Sequence, residues 1–284
     1  MSGHMDNIDS FLRAVRRADG SDGLLSGLAA DYFGVLPISP AGVADFDNLL
    51  HCRQITEQIF PASLTKIMTA LVALEYLKLD HQVMIIDDDL VIGSGYNLKT
   101  GDIISVENLI INMMLPSSNI AAKAVARAVT EVSGLGFVSL MNDKARQLGM
   151  TATVFKNPTG LSDRQQLSTV LDLMRLGVAA VKHRDLARLW GLSVATLTIT
   201  GANARSIRVA SSFAAIKDMP WCLGGKSGSF SHWGYHLLCH VRLKSGYTGI
   251  AVVLKSPSSE QRDLDMIGIV NNLSQQYHYP CVDG

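Results

Sequence analysis

Phe60-Pro61-Ala62-Ser63-Leu64-Thr65-Lys66-Ile67-Met68-Thr69-Ala70-Leu71-Val72-Ala73-Leu74-Glu75-Tyr76 is the stretch from which the fold can be read. Pro61 is tolerated in a first helical turn. The residues after Ser63 are good helix formers with apolar side chains nearly all round, which predicts a buried helix entered at Ser63. Ser63 and Lys66 are three residues apart, a spacing that stacks side chains about 5 to 6 Å apart on one helix face. A hydroxyl then stands beside an amine, a nucleophile beside a base. The helix start adds unpaired backbone N–H groups and positive dipole character, which favour negative charge developing on an oxygen attached to Ser63.

A Ser-x-x-Lys spacing arises by chance on the order of once in a chain of this length, and the bland alternative is a core helix whose lysine reaches out to water. The rest of the chain decides between them. Its 284 residues suffice for one large domain or two interleaved subdomains. Lys plus Arg number 25 and Asp plus Glu 25, so the charge is formally zero, with no electrostatic footprint for nucleic acid or an anionic membrane. A neutral or locally recognised substrate fits that balance. The longest apolar run, within residues 67–77, is far short of the roughly 18 to 20 residues that span a bilayer, so no transmembrane segment is expected. Met1-Ser2-Gly3-His4-Met5 has neither a basic region nor an apolar core and reads like a cloning remnant. Cys52, Cys222, Cys239 and Cys281 are widely spaced without a C-x-x-C pair, which argues against zinc and for buried small hydrophobes.

Residues 6–19 carry Ile8, Phe11, Leu12 and Val15 at helical spacing. Residues 20–58 mix Gly, Pro and Asp breaks with short apolar runs such as Tyr32-Phe33-Gly34-Val35-Leu36 and give only weak strand signals. A short strand is expected at Gln82–Ile86, then a Gly- and Asp-rich loop up to Asp102. Helices follow from Ser105 through Leu115, from about Ser118 to Val132 and from Phe137 to Leu148, with a loop over 151–167. Thr169-Val170-Leu171-Asp172 has the form of a capping box opening a helix to Val181, and His183–Trp190 is helical. From Val194 the period becomes that of strands, at 194–200, 206–213, 221–230, 233–243 and 248–255, with a hairpin signal at Ser245-Gly246. A last helix spans about Glu260–Gln276. Helices in the middle and an antiparallel sheet at the end make an α+β chain without βαβ alternation.

Two further polar clusters keep Ser63 company. Ser117-Ser118-Asn119 follows Pro116 at a break between helices, where capping explains it as well as catalysis does. Lys226-Ser227-Gly228 lies inside a predicted strand, where a cation and a hydroxyl can hold a carboxylate and a glycine lets a peptide backbone lie close. Lys99-Thr100-Gly101 and Lys244-Ser245-Gly246 have the same form, but one falls in a loop and the other at a hairpin tip, so order and context select Lys226. Ser63-x-x-Lys66, Ser117-x-Asn119 and Lys226-Ser227-Gly228, in this order, form the motif set of penicillin-binding proteins and class A β-lactamases. The text around them resembles the low-molecular-mass penicillin-binding proteins, serine D-alanyl-D-alanine peptidases: Pro61 to Ala70, Gly101-Asp102, Leu115 to Asn119, Met141-Asn142, Leu148-Gly149-Met150 and Asn157-Pro158-Thr159-Gly160-Leu161. The resemblance covers about residues 60–270. Ser227 stands where the family usually has Thr, which keeps the hydroxyl, and residues 20–58 do not clearly show the family's opening strand pair.

The resemblance implies a β-lactamase/transpeptidase-like fold, an antiparallel sheet flanked by helices with an inserted all-helical subdomain. It places one catalytic domain over residues 6–284, with the helical part at about 65–192 inserted between about 6–64 and 193–284; as a departure from many members, no extra C-terminal domain is expected. It implies that Ser63 attacks the carbonyl between two terminal D-alanines of a peptidoglycan stem peptide and forms an acyl-enzyme. Lys66 takes the Ser63 proton, which requires an uncharged amine. Ser117 relays a proton to the leaving amine, Asn119 holds the substrate's side-chain amide, and Lys226 with Ser227 holds its terminal carboxylate. The oxyanion sits between the backbone N–H groups of Ser63 and Ser229. No cofactor is implied. The expected partners are peptidoglycan peptides and, as covalent inhibitors, β-lactam antibiotics, which puts the protein in the periplasm or otherwise outside the cytoplasm.

Class A β-lactamases clear the acyl-enzyme with a Glu-activated water, yet residues 151–170 contain no Glu and only Asp163, which argues against a lactamase and for a long-lived penicillin adduct. A non-catalytic wall-binding or β-lactam-sensing module is the alternative of another class. His232, His236 and His240 share one face of a predicted strand but lie too far apart to share a metal, and read as cleft or surface residues. Met113, Met114, Met141 and Met150 read as core filling. Asp87-Asp88-Asp89 lacks EF-hand spacing and reads as a solvated turn.

Overall fold

The hairpin signal at Ser245-Gly246 is realised between two long strands, with both residues at positive φ. The computed structural model describes residues 27–276 apart from 231, and the side chains up to residue 273. The expected helix over 6–19, the tag-like residues 1–5 and Cys281 lie outside the described residues. Strands β1 (Tyr32–Ile38), β2 (Leu50–Arg53), β7 (Cys222–Phe230), β8 (Gly234–Arg242) and β9 (Thr248–Ser256) form an antiparallel sheet in the order β2-β1-β9-β8-β7. The opening strand pair is therefore present. β1 is almost wholly buried in register with β9, Phe33 opposite Val253 and Val35 opposite Ala251, so it has no alternating polar face to mark it as a strand.

A second antiparallel sheet has the order β3-β4-β5-β6, from Gln82–Met84, Asp102–Ser105, Val194–Gly201 and Arg205–Ala210. The expected division at residue 192 assigns β5 and β6 to the large sheet; in the structure Asp102 and Ile103 of β4 pair with Gly201 and Thr200 of β5 instead. The middle of the chain thus carries a small sheet besides its helices. β4 was hidden because it is four residues long and runs directly into the helix that Ser105 caps. The helices are α1 (Thr65–Tyr76), α2 (Val106–Met114), α3 (Asn119–Ser133), α4 (Phe137–Gln147), α5 (Val170–Lys182), α6 (Arg184–Trp190), the short α7 (Ala214–Lys217) and α8 (Ser259–Gln276).

The large core joins α1, α2, α3 and α5 to one face of the large sheet, and a smaller cluster under α8 covers the other. Met113, Met114, Met141 and Met150 are core residues. Thr169 caps α5, accepting the Asp172 N–H at 3.1 Å. Asp172 does not return the bond; its carboxylate accepts from the Ala152 N–H and the Thr153 hydroxyl and pairs with Arg175. No single helix among the described residues is long and apolar enough to cross a membrane.

Candidate active site

Ser63 does not open the α-helix. It lies in a 3-10 turn, Ala62–Leu64, and α1 begins at Thr65. Ala62 has φ +48°, a left-handed conformation costly for a side-chain-bearing residue, and this sets the sharp entry. Behind the turn presses the segment Asn157–Leu161. A Cβ on Gly160, at φ +80°, would lie 2.0 Å from the Ala62 carbonyl oxygen, so only glycine fits.

Lys66 follows one turn later and is fully buried. Its Nζ lies 2.9 Å from Ser63 Oγ, 2.8 Å from Asn119 Oδ1 and 2.6 Å from the Thr159 carbonyl oxygen. No carboxylate is among these contacts. Burial, and next the charge of Lys226, holds the amine well below the ordinary lysine range. An uncharged amine has two N–H groups and one lone pair. Asn119 Oδ1 and the Thr159 carbonyl can only accept, so the Ser63 hydroxyl is the partner able to donate to that lone pair.

The second cluster is built on the turn between α2 and α3. Pro116 ends the first helix, Ser118 caps the next by accepting the Ala121 N–H, and Ser117 between them is held at φ +66° with its side chain buried. Lys226 Nζ donates to Ser117 Oγ at 2.9 Å and to the Ser227 carbonyl at 2.7 Å. Burial, and next the charge of Arg262, lowers Lys226 to about 7. Capping and clustering therefore share the triplet: Ser118 caps, while Ser117 and Asn119 face the two lysines. Asn119 is less open than expected, since its oxygen serves Lys66 and its Nδ2 lies against Gly93.

Lys226, Ser227, Gly228 and Ser229 lie on β7, an edge strand of the large sheet. Gly228 makes room for the chain itself, as a Cβ there would sit 3.2 Å from the Ser63 nitrogen and 3.3 Å from the Pro61 oxygen. The Ser63 nitrogen thus lies against β7, one residue from Ser229. Lys99-Thr100-Gly101 and Lys244-Ser245-Gly246 are both turns, with Gly101 and Gly246 at positive φ.

Three contributors had no separate place in the motif reading. The Thr159 carbonyl is aimed by Asn157, whose Oδ1 accepts from the Thr159 and Gly160 N–H groups, a side-chain turn that the Asn-x-x-Gly spacing could have signalled. The Ser212 hydroxyl lies 2.5 Å from that of Ser227, and Arg262 adds its charge near Lys226. Neither carries a sequence signal.

The other polar residues settle elsewhere. His232 is exposed, whereas His236 is buried rather than in a cleft, accepting the Lys255 N–H on Nδ1 and lowered to about 4 by burial. His240 is likewise lowered to about 4 by burial. No group of three metal-ligating side chains occurs among the described residues. Asp89 is buried and paired with Arg127 at 2.9 Å, so the Asp87–Asp89 turn is solvated only at its first two residues. Cys52, Cys222 and Cys239 are buried.

Comparison with known proteins places the chain. Residues 45–258 match the sequence profile of a family described as D-alanyl-D-alanine carboxypeptidase. The chain is 32% identical over 207 residues to a D-alanyl-D-alanine endopeptidase of Haemophilus influenzae, covering 71% of this chain and 69% of that one. It is 27% identical over 239 residues to D-alanyl-D-alanine carboxypeptidase DacF of Bacillus subtilis, covering 82% of this chain and only 60% of the relative. The crystal structure of a Streptomyces DD-transpeptidase superposes with a TM-score of 0.76 at 26% identity, covering 86% of this chain and 96% of that one.

Proposed function

The chain belongs to the D-alanyl-D-alanine carboxypeptidase family, and from that membership and the geometry of its site we propose that it is a serine DD-peptidase. It cleaves peptidoglycan stem peptides through an acyl-enzyme on Ser63, as a D-Ala-D-Ala carboxypeptidase or a DD-endopeptidase. The observation that carries this is the buried Lys66 amine, 2.9 Å from Ser63 Oγ and surrounded by acceptors without a carboxylate.

In this reading Lys66 takes the Ser63 proton as Oγ attacks the D-alanyl carbonyl. The developing oxyanion lies between the Ser63 and Ser229 N–H groups, supported by the close approach of the Ser63 turn to β7 at Gly228. Ser117, hydrogen-bonded to Lys226, passes a proton to the leaving amine. Lys226 and Ser227 hold the leaving carboxylate, and Asn119 aligns the Lys66 amine and the substrate amide. Water then releases the product. A β-lactam acylates the same Ser63. The adduct is long-lived because the segment closing on Lys66 offers the Thr159 carbonyl, while Asp163, the acid of that segment, is exposed and accepts from the Gln165 N–H. The substrate places the protein outside the cytoplasmic membrane.

Mass spectrometry tests all of this. Muropeptides incubated with the protein should lose one alanine or, if cross-linked, split. Penicillin should leave a lasting adduct on Ser63. Rapid turnover of nitrocefin would move the protein to the β-lactamases. Penicillin capture without any peptide cleavage would make it a sensing module.

A further inference from the structure

Ser212 lies in the three-residue connection between β6 and α7, just before Phe213, outside all three motifs. Its hydroxyl is 2.5 Å from Ser227 Oγ, close enough that one hydroxyl donates to the other. Ser212 is an exposed residue while Ser227 is buried, so the hydrogen bond joins a surface position to the strand beneath it. The backbone fixes this pairing. The Ser212 N–H donates to the Leu115 carbonyl at 3.1 Å, two residues before Ser117, and the Ser211 N–H donates to the Ser193 carbonyl at 2.8 Å. The hydroxyl is thus anchored to the wall that bears Ser117 and hydrogen-bonded to the wall that bears Lys226.

We propose that Ser212 is a substrate-binding residue, the second hydroxyl of a two-serine seat for the terminal carboxylate of the leaving group. This rests on the DD-peptidase reading. In the unliganded protein the two hydroxyls share one hydrogen bond, which leaves one O–H spent on its neighbour. When a carboxylate arrives beside Lys226, that bond opens and each serine donates its own O–H to one carboxylate oxygen. No bond to carbon forms or breaks. The seat is selective for a free carboxylate, because an amide or ester at that place offers one strong acceptor where two donors wait, and its uncharged oxygen makes weaker hydrogen bonds. The serine at position 227, with no γ-methyl, leaves space beside its hydroxyl for this second donor.

The test compares two peptides ending in D-Ala-D-Ala that differ only in a free or an amidated C-terminus. The second-order acylation rate is measured for wild-type, Ser212→Ala, Ser212→Thr and Ser227→Ala proteins. Ser212→Ala keeps the backbone bond to Leu115 and removes one hydroxyl at an exposed residue, so thermal unfolding should be nearly unchanged. The preference for the free carboxylate should fall about tenfold, the size of one charge-assisted hydrogen bond, and Ser212→Thr should restore most of it. Combining Ser212→Ala with Ser227→Ala should cost less than the two losses multiplied, because the hydroxyls act as a pair. A carboxylate preference in Ser212→Ala within twofold of wild type overturns the proposal, as does an equal loss on both peptides. If the wild-type protein captures penicillin and releases D-alanine but Ser212→Ala behaves as wild type, only the two-serine seat fails. If the wild-type protein does neither, the DD-peptidase reading fails first.

Discussion

In the proposed mechanism two buried lysines whose charges oppose each other hold different protonation states. Lys66 has to be uncharged to take a proton, and Lys226 has to be charged to hold a carboxylate. The structure separates them by surroundings. Burial and then the charge of Lys226 hold Lys66 well below the ordinary lysine range, whereas Lys226 is lowered only to about 7, by burial and then by Arg262. Acylation by peptides with a free C-terminus should therefore decline above about pH 7 as Lys226 loses its proton. In Lys226→Arg the alkaline decline should disappear up to pH 10, with a lower plateau, since arginine stays charged but does not fit the lysine's place. Rates of D-alanine release from pH 5 to 10 check this, and an unmoved decline would assign it to another group. Folding stability responds to the same proton. The folded value of about 7 lies below the unfolded value near 10.5, so between them the unfolded chain holds a proton that the folded chain lacks. Stability from this group thus rises with pH across that window and is flat below it, a slope that Lys226→Met should remove in urea titrations.

At the scale of elements, the site depends on a strand edge meeting a strained turn. Gly228 of β7 and Gly160 of the Asn157–Leu161 segment approach the Pro61–Ser63 turn from two sides. Gly228→Ala would push a methyl to 3.2 Å from the Ser63 nitrogen, tight enough to shift the turn by a few tenths of an ångström without unfolding it. Penicillin acylation should slow by about a hundredfold while the melting temperature moves by only a few degrees. Loss of both together would mean that the glycine serves packing alone. The three motifs were legible because each puts reactive side chains at a spacing that only one local structure satisfies: one helical turn for Ser63 and Lys66, a break between helices for Ser117 and Asn119, an extended strand for Lys226. What was not legible depended on partners distant in the chain. β1 carries no alternation because both its faces are covered, the small sheet exists only through the pairing of β4 with β5, and nothing near Ser212 hints at a neighbour fifteen residues later. The entry of α1 was misplaced by two residues because Ala62 adopts a backbone conformation that its side chain disfavours.

For the whole molecule, the question is what fixes the Ser117 wall against the rest. The Ser118 N–H donates to the Asn112 carbonyl, Asn112 exchanges side-chain hydrogen bonds with Asn97, and the Asn97 carbonyl accepts from Arg205 of β6. Arg205 also grips Asp102 of β4 through both carboxylate oxygens, at 2.6 and 2.7 Å. The small sheet is thereby tied to the turn that carries Ser117. Asp102 is wholly buried and Arg205 partly exposed, so removing the arginine strands a carboxylate in the interior. Burial alone would push the Asp102 carboxyl up, but the hydrogen bonds from Arg205 and the Lys99 N–H outweigh it and hold the carboxyl below its usual range. Arg205→Met should destabilise the protein by about 3 kcal/mol in urea at pH 7, the low end for a broken buried pair. Because the folded carboxyl is lowered, the stability it contributes is present above the unfolded value near 3.8 and is lost as pH falls through the folded one. The gap between wild type and Arg205→Met should therefore close as the pH is taken below 4, where a protonated Asp102 no longer needs a cation. A gap that persists there would mean that the guanidinium acts by packing and by its bond to Asn97, and that the charge of Asp102 plays no part in holding the wall.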